Sequence, residues 1–177
     1  GSEMCIRDRR KKQTAQGYAD ESAWARGQAW AIYGYTMCYR YTHDQKYLDM
    51  AEKIYNFIFN NPNLPEDLVP YWDFDAPNIP NEPRDVSAAA CTASALYELS
   101  TYIPGKNYKE TADKIMENLA SPAYRAEVGT NGNFILMHSV GSIPHGAEID
   151  FPLNYADYYF LEGIMRKRDL ESNKKLF

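Results

Sequence analysis

Cysteine is scarce. The 177-residue chain has three, Cys5, Cys38 and Cys91, an odd number at wide spacing that fits neither a disulfide framework nor a zinc cluster, so they read as free thiols. Long apolar runs are missing too. None approaches the ~18 residues that a membrane-spanning helix needs, so no membrane is expected as a partner. Positive charge is not in excess either: 19 Lys and Arg stand against 24 Asp and Glu, a net charge of -5. No basic field exists to hold a polyanion, and nucleic acid is not expected. The sequence contains no HExxH, no CxxC pair, no phosphate loop, no dinucleotide fingerprint and no GxSxG elbow, so no metal or cofactor is expected. With only three histidines, Asp and Glu are the acid–base candidates present in quantity. That favours glycan chemistry over acyl or phosphoryl transfer.

Aromatic side chains are abundant, 15 Tyr, 7 Phe and 3 Trp, more flat faces than a helical core requires. Carbohydrate is the ligand class that uses such faces. The apolar periodicity is helical over 22–42, 45–60, 85–103, 107–120 and 154–168, and strand signals are few. Tyr47, Ala51, Ile54 and Ile58 form a stripe that Tyr108, Ala112, Ile115 and Leu119 repeat 61 positions later. The preceding helices correspond as well, Ala29-Trp30-Ala31-Ile32-Tyr33 matching Ala93-Ser94-Ala95-Leu96-Tyr97, and a third copy opens at Ala156. The unit is a helical hairpin, present two and a half times. The expected fold is all-α, a stack of hairpins that share a core and form part of a toroid. Asp44 and Asp85 are expected as N-caps, and Ser22 as the cap of the first helix. Long loops at 61–84 and 121–153 are placed to line a site, with Phe134–His138 as a short strand. Residues 1–15, with five basic side chains and no apolar period, are read as disordered or foreign sequence.

The densest segment is Gln16 to Trp30. Arg26 near a helix start is electrostatically odd, because the positive end of the helix dipole disfavours a cation. A docked anion would offset this. Arg26 and Trp30, four residues apart, share a helical face, so a guanidinium and an indole could meet a sugar acid together. The alternative is that Trp24 and Trp30 are core residues and Arg26 pairs with Glu21 or Asp20. Trp72 stands in a Pro-rich loop as a sugar wall or a structural ring. Asp73 beside it could simply hold a turn. His138, in the second long loop, is a possible cleft contact. Gly27 and Gly34 read as close helix packing.

The runs QGYADESAWARGQAWAIYGY at 16–35, YWDFDAP at 71–77, RDVSAAA at 84–90 and YADYYFLEGIMR at 155–166 closely resemble the unsaturated glucuronyl hydrolases, over about residues 16–168. The resemblance implies an (α/α)6 barrel of which residues 16–177 are the C-terminal portion, about half. It implies removal of 4,5-unsaturated uronic acid from the non-reducing end of lyase-made oligosaccharides, by hydration of the enol ether double bond and without a metal. The positions matching Gln16, Trp24, Arg26 and Trp30 line the substrate site in that family. Its two active-site aspartates lie in the N-terminal half, in segments with no counterpart here, so the chain by itself is expected to be inactive. The His that commonly precedes the Gln16 position is Ala15 here. The implied partners are an unsaturated uronic acid oligosaccharide and the N-terminal half of the barrel, with self-association of the chain as a further possibility. The implied compartment is the periplasm or cytoplasm of a bacterium. An unsaturated rhamnogalacturonyl hydrolase, in which SAWARGQAW is also recognisable, is one alternative. A non-catalytic helical-repeat module that binds acidic sugars or a protein is another.

Overall fold

In the computed structural model, residues 13–177 are described; the expectation for residues 1–12 lies outside them. Five helices carry the described residues: α1 (Ala25–Thr42), α2 (Gln45–Phe59), α3 (Val86–Tyr102), α4 (Tyr108–Leu119) and α5 (Asn154–Glu171). They lie where the apolar spacing placed them. In α2 the buried positions are Leu48, Ala51, Ile54 and Ile58, and in α4 they are Tyr108, Ala112, Ile115, Met116 and Leu119. Each is the single apolar stripe of a helix packed on one side. Asp44 and Asp85 cap α2 and α3, each carboxylate accepting the N–H two residues on.

Helices α1, α3 and α5 lie side by side and run the same way. Arg26, Asp85 and Tyr155 meet at their starts, and Arg40, Glu98 and Arg166 meet further along. Helices α2 and α4 return behind α1 and α3. The middle helix, α3, touches α1, α4 and α5, so it has no solvent face. Every residue from Val86 to Leu99 is buried. Ala88, Ala89, Ala90, Ala93 and Ala95 are small enough to let three neighbours approach at once.

Two details differ from expectation. Helix α1 starts three residues after Ser22, with Trp24 at its cap position and no side-chain cap. Residues 23–25 are held instead by the 71–75 loop: Ala25 N–H donates to Trp72 O, Phe74 N–H donates to Ala23 O, and Ser22 Oγ is bonded to the Asp73 carboxylate. The regular strands also come later than Phe134–His138. They are β1 (Ser139–Ser142) and β2 (Ala147–Phe151), paired antiparallel with an irregularity between Ser139 and Val140. The earlier segment makes an isolated antiparallel bridge, Leu136 opposite Arg125, with Ala126 N–H donating to Ile135 O and Met137 N–H to Tyr124 O, and the N–H groups of Ile135 and Leu136 donate to the two Asp157 oxygens at 2.8 and 2.9 Å.

Candidate functional site

The starts of α1, α3 and α5 converge beneath β1, and Arg26 stands at the junction. It is 3% exposed. Its Nη1 donates to Asp85 Oδ2 at 3.0 Å, to Ser87 Oγ and to the Val140 carbonyl, while Nη2 donates to the Gly141 carbonyl. Neither Glu21 nor Asp20 is its partner. Among the described residues the Arg26 Nε–H has no hydrogen-bond acceptor. The guanidinium also lies against the Trp24 and Tyr155 rings, at 4.7 and 5.3 Å from their centroids, where a desolvated cation gains from the ring quadrupoles. The oddity of a cation at a helix start is therefore answered inside the protein by Asp85, which lies 59 positions away and is fully enclosed.

Asp85 does two things at once. Its Oδ1 accepts from Ser87 N–H and Oγ–H, capping α3, while Oδ2 takes Arg26. Burial pushes its pKa above the usual carboxylate value, opposed by the Arg26 charge and the Ser87 donors. Burial also raises the Tyr155 hydroxyl.

Trp24 and Trp30 take different positions. A Cβ at Gly27 would lie 2.9 Å from Trp24 Cε3, so this glycine makes room for an indole rather than for a neighbouring helix. Gly34 has nothing near it and belongs to an open face of α1. Trp30 is 38% exposed. Its ring is held edge-on by Tyr159 at 5.3 Å and tilted against Tyr155 at 6.3 Å, and Tyr159 rests in turn on Tyr33. Gln16 is half-buried, in a loop pinned where Tyr18 N–H and Ser22 Oγ bond to Asp73 Oδ2. Asp73 is fully enclosed and also accepts from Asp75 N–H, so it does hold a turn.

Trp72 is buried, with Nε1–H donating to Glu82 at 2.9 Å. It packs with Val140 of β1 and against Trp24, so it backs the Trp24–Arg26 corner from within. His138 lies one residue before β1. Its carbonyl accepts from Val86 N–H at the start of α3, and its Nδ1 is 2.6 Å from Asp150 Oδ1. The sequence brought Trp24, Arg26 and Trp30 into view, and Tyr155 as a residue of either core or cleft, but not the β1 carbonyls, which arrive through contacts more than 110 residues apart in the chain. Among the described residues no cluster of three or more His, Cys, Asp or Glu is placed to hold a metal ion, and no helix is long and apolar enough to cross a membrane.

No family model matches the chain. It is 54% identical over 159 residues to an unsaturated glucuronyl hydrolase of Formosa agariphila. The match covers 90% of this chain and 40% of that protein. Over most of its length the chain is similar to the unsaturated glucuronyl hydrolases. The crystal structure of an unsaturated glucuronyl hydrolase specific for heparin superimposes with a TM-score of 0.89 at 50% identity, covering 92% of this chain and 44% of that one. A mutant unsaturated glucuronyl hydrolase from Streptococcus agalactiae, solved in complex with dGlcA-GalNAc6S, has a TM-score of 0.78 at 35% identity and covers 88% and 42%. The chain thus spans about 40% of the length of the unsaturated glucuronyl hydrolases it matches, corresponding to their C-terminal part. Its five helices are part of the (α/α)6 barrel of these enzymes.

Proposed function

We propose that residues 16–177 are the C-terminal portion of a glycoside hydrolase that removes a 4,5-unsaturated uronic acid from the non-reducing end of lyase-made oligosaccharides. The observation that carries this reading is the Trp24–Arg26–Trp30 corner, set where three helix starts meet, in a chain 54% identical to an unsaturated glucuronyl hydrolase. Gln16, Trp24, Arg26 and Trp30 form this chain's share of the substrate site. Trp30 presents a sugar-sized flat face, and Trp24 covers the guanidinium. Arg26 supplies positive charge and its remaining Nε–H to the sugar carboxylate, with Trp72 backing the corner and His138 at its edge.

The reaction is hydration. An aspartic acid protonates C4 of the enol ether, the same group as carboxylate helps water add at C5, and the hemiketal formed opens to release the sugar. This chain does not offer that aspartate. Asp73 and Asp85, the enclosed acids next to the corner, hold backbone N–H groups, Ser22 and Arg26, and the resemblance places the family's two active-site aspartates in the N-terminal half. The chain alone is therefore inactive, and the rest of the barrel supplies the acid.

The test is loss of ultraviolet absorbance of the double bond in an unsaturated uronyl disaccharide. The whole gene product should consume it and the 177-residue chain should not. A whole protein that leaves the absorbance unchanged from acid to neutral pH overturns the reading. Faster consumption of an unsaturated galacturonyl-rhamnose substrate would reassign the specificity.

A further inference from the structure

Asp85 and Arg26 form an enclosed pair of net zero charge, side chains 0% and 4% exposed. A sugar carboxylate arriving at Arg26 therefore does not meet a free cation. It meets a guanidinium already neutralised, and it adds a second negative charge to a site from which water is largely excluded. Two carboxylates on one cation in such a place do not both stay ionised.

The surroundings decide which of them yields. Asp85 is faced by Arg26 from α1, by the Ser87 donors and Cys91 of its own helix, and by Tyr155 from α5. Strand β1 brings carbonyl oxygens to Arg26, and Glu148 of β2 lies over Gly141. Apart from Arg26, these neighbours bring no further cation. Asp85 is also the more deeply enclosed carboxylate, with its charged form already disfavoured by burial. Its cap on α3 uses Oδ1, so a proton on Oδ2 leaves the helix start intact.

We infer that a carboxylate ligand reaches Arg26 together with one proton, taken up from solvent by Asp85, so that the sugar acid replaces Asp85 as the charged partner of the guanidinium. The inference rests on the substrate site proposed above. Asp85 thereby sets the pH range in which the site accepts an acidic sugar. A neutral sugar gains nothing from the exchange.

Isothermal titration of the chain with an unsaturated uronyl disaccharide, in two buffers of different ionisation enthalpy, reads the proton directly. The expected result is uptake of about one proton per ligand. Affinity should rise by up to about tenfold per unit fall in pH, above the range where the sugar's own carboxylate titrates. The methyl ester of the same disaccharide should bind without proton uptake. Asp85→Asn should bind the acid more tightly at neutral pH and exchange no proton. Binding of the acid to the unaltered chain without uptake overturns the inference and leaves the site reading standing. Failure to bind both acid and ester overturns the site reading, and the inference with it. Should Asp85→Asn not fold, the comparison of acid with ester on the unaltered chain decides alone.

Discussion

Gly27 shows how a single absent methyl group places an indole. The Trp24 ring lies where a Cβ at 27 would be, so Gly27→Ala must push the ring away from Arg26. Alanine favours a helix over glycine by about 1 kcal/mol, which offsets much of the strain. The expected outcome is a small change in melting temperature with a clear change in tryptophan emission and loss of uronate binding; unchanged emission would show that the ring has room elsewhere. Asp73 works at the same scale. It is fully enclosed and accepts from Tyr18 N–H, Ser22 Oγ and Asp75 N–H. Asp73→Ala leaves three donors without their acceptor, an expected loss of about 2–4 kcal/mol in denaturant unfolding. Faster amide exchange of the 17–24 loop should accompany it. Arg26 marks the limit of reading single residues. Its oddity at a helix start was visible in the sequence, whereas Asp85 as its counter-ion was not, because 59 positions separate them and a cap role already accounted for the aspartate.

At the scale of elements, α2 and α3 have similar lengths and opposite burial. Helix α2 shows a stripe because one side faces water, and α3 shows none because α1, α4 and α5 surround it. An alanine in α3 has no free volume around it. Ala93→Leu is expected to cost at least about 1–3 kcal/mol through overpacking. Gly163→Ala in α5 should be nearly neutral, since the added carbon meets the Met116 thioether, the flexible end of a side chain. Calorimetric melts of the two variants check the contrast; equal shifts would mean that α3 adjusts more freely than its packing implies. The charges between elements behave as one unit. Glu98, 1% exposed, takes both Arg40 nitrogens at 2.7 and 2.6 Å and lies 3.3 Å from Arg166 Nη1. It thereby ties α1, α3 and α5 together at the end away from the Arg26 corner. Glu98→Ala leaves the Arg40 guanidinium without its carboxylate and Arg166 with Glu162 alone, an expected loss of about 3–5 kcal/mol. Denaturant unfolding measures it, and a loss below about 1 kcal/mol would show the network to be dispensable.

For the whole molecule, the tyrosines set the alkaline limit. Burial and neighbouring carboxylates push Tyr33 and Tyr102 up to about 12, and Tyr97, Tyr108, Tyr124 and Tyr159 are raised further by burial above all. In the unfolded chain they ionise near the ordinary value of about 10. A raised folded value means that this stabilisation is complete below pH ~10 and is lost as pH rises towards and through the folded values. Stability is therefore expected to fall steeply above pH ~10, with tyrosinate absorbance appearing together with unfolding rather than before it. The two ends of the helical array behave differently from its middle. Trp30, Met37 and Tyr41 on α1, and Tyr158, Leu161 and Met165 on α5, are exposed large apolar side chains. Sedimentation of the isolated chain is expected to show concentration-dependent self-association through these faces; a monomer at all concentrations would show that the edges tolerate water.

The sequence by itself determined the helices, their pairing into repeated hairpins and the residues at the first helix start. Period, caps and repeats are local signals, carried by neighbours within one or two turns. It offered Asp73 as a turn anchor beside a functional reading, and the Tyr18, Ser22 and Asp75 donors decide for the turn. Only the tertiary structure decided that Trp72 is enclosed, that the regular strands begin at Ser139, and that Arg26 is neutralised by Asp85 beneath the β1 carbonyls. Each of these depends on side chains brought together by loops of more than twenty residues. Which group fills a desolvated corner is fixed by packing and charge in three dimensions, not by spacing along the chain.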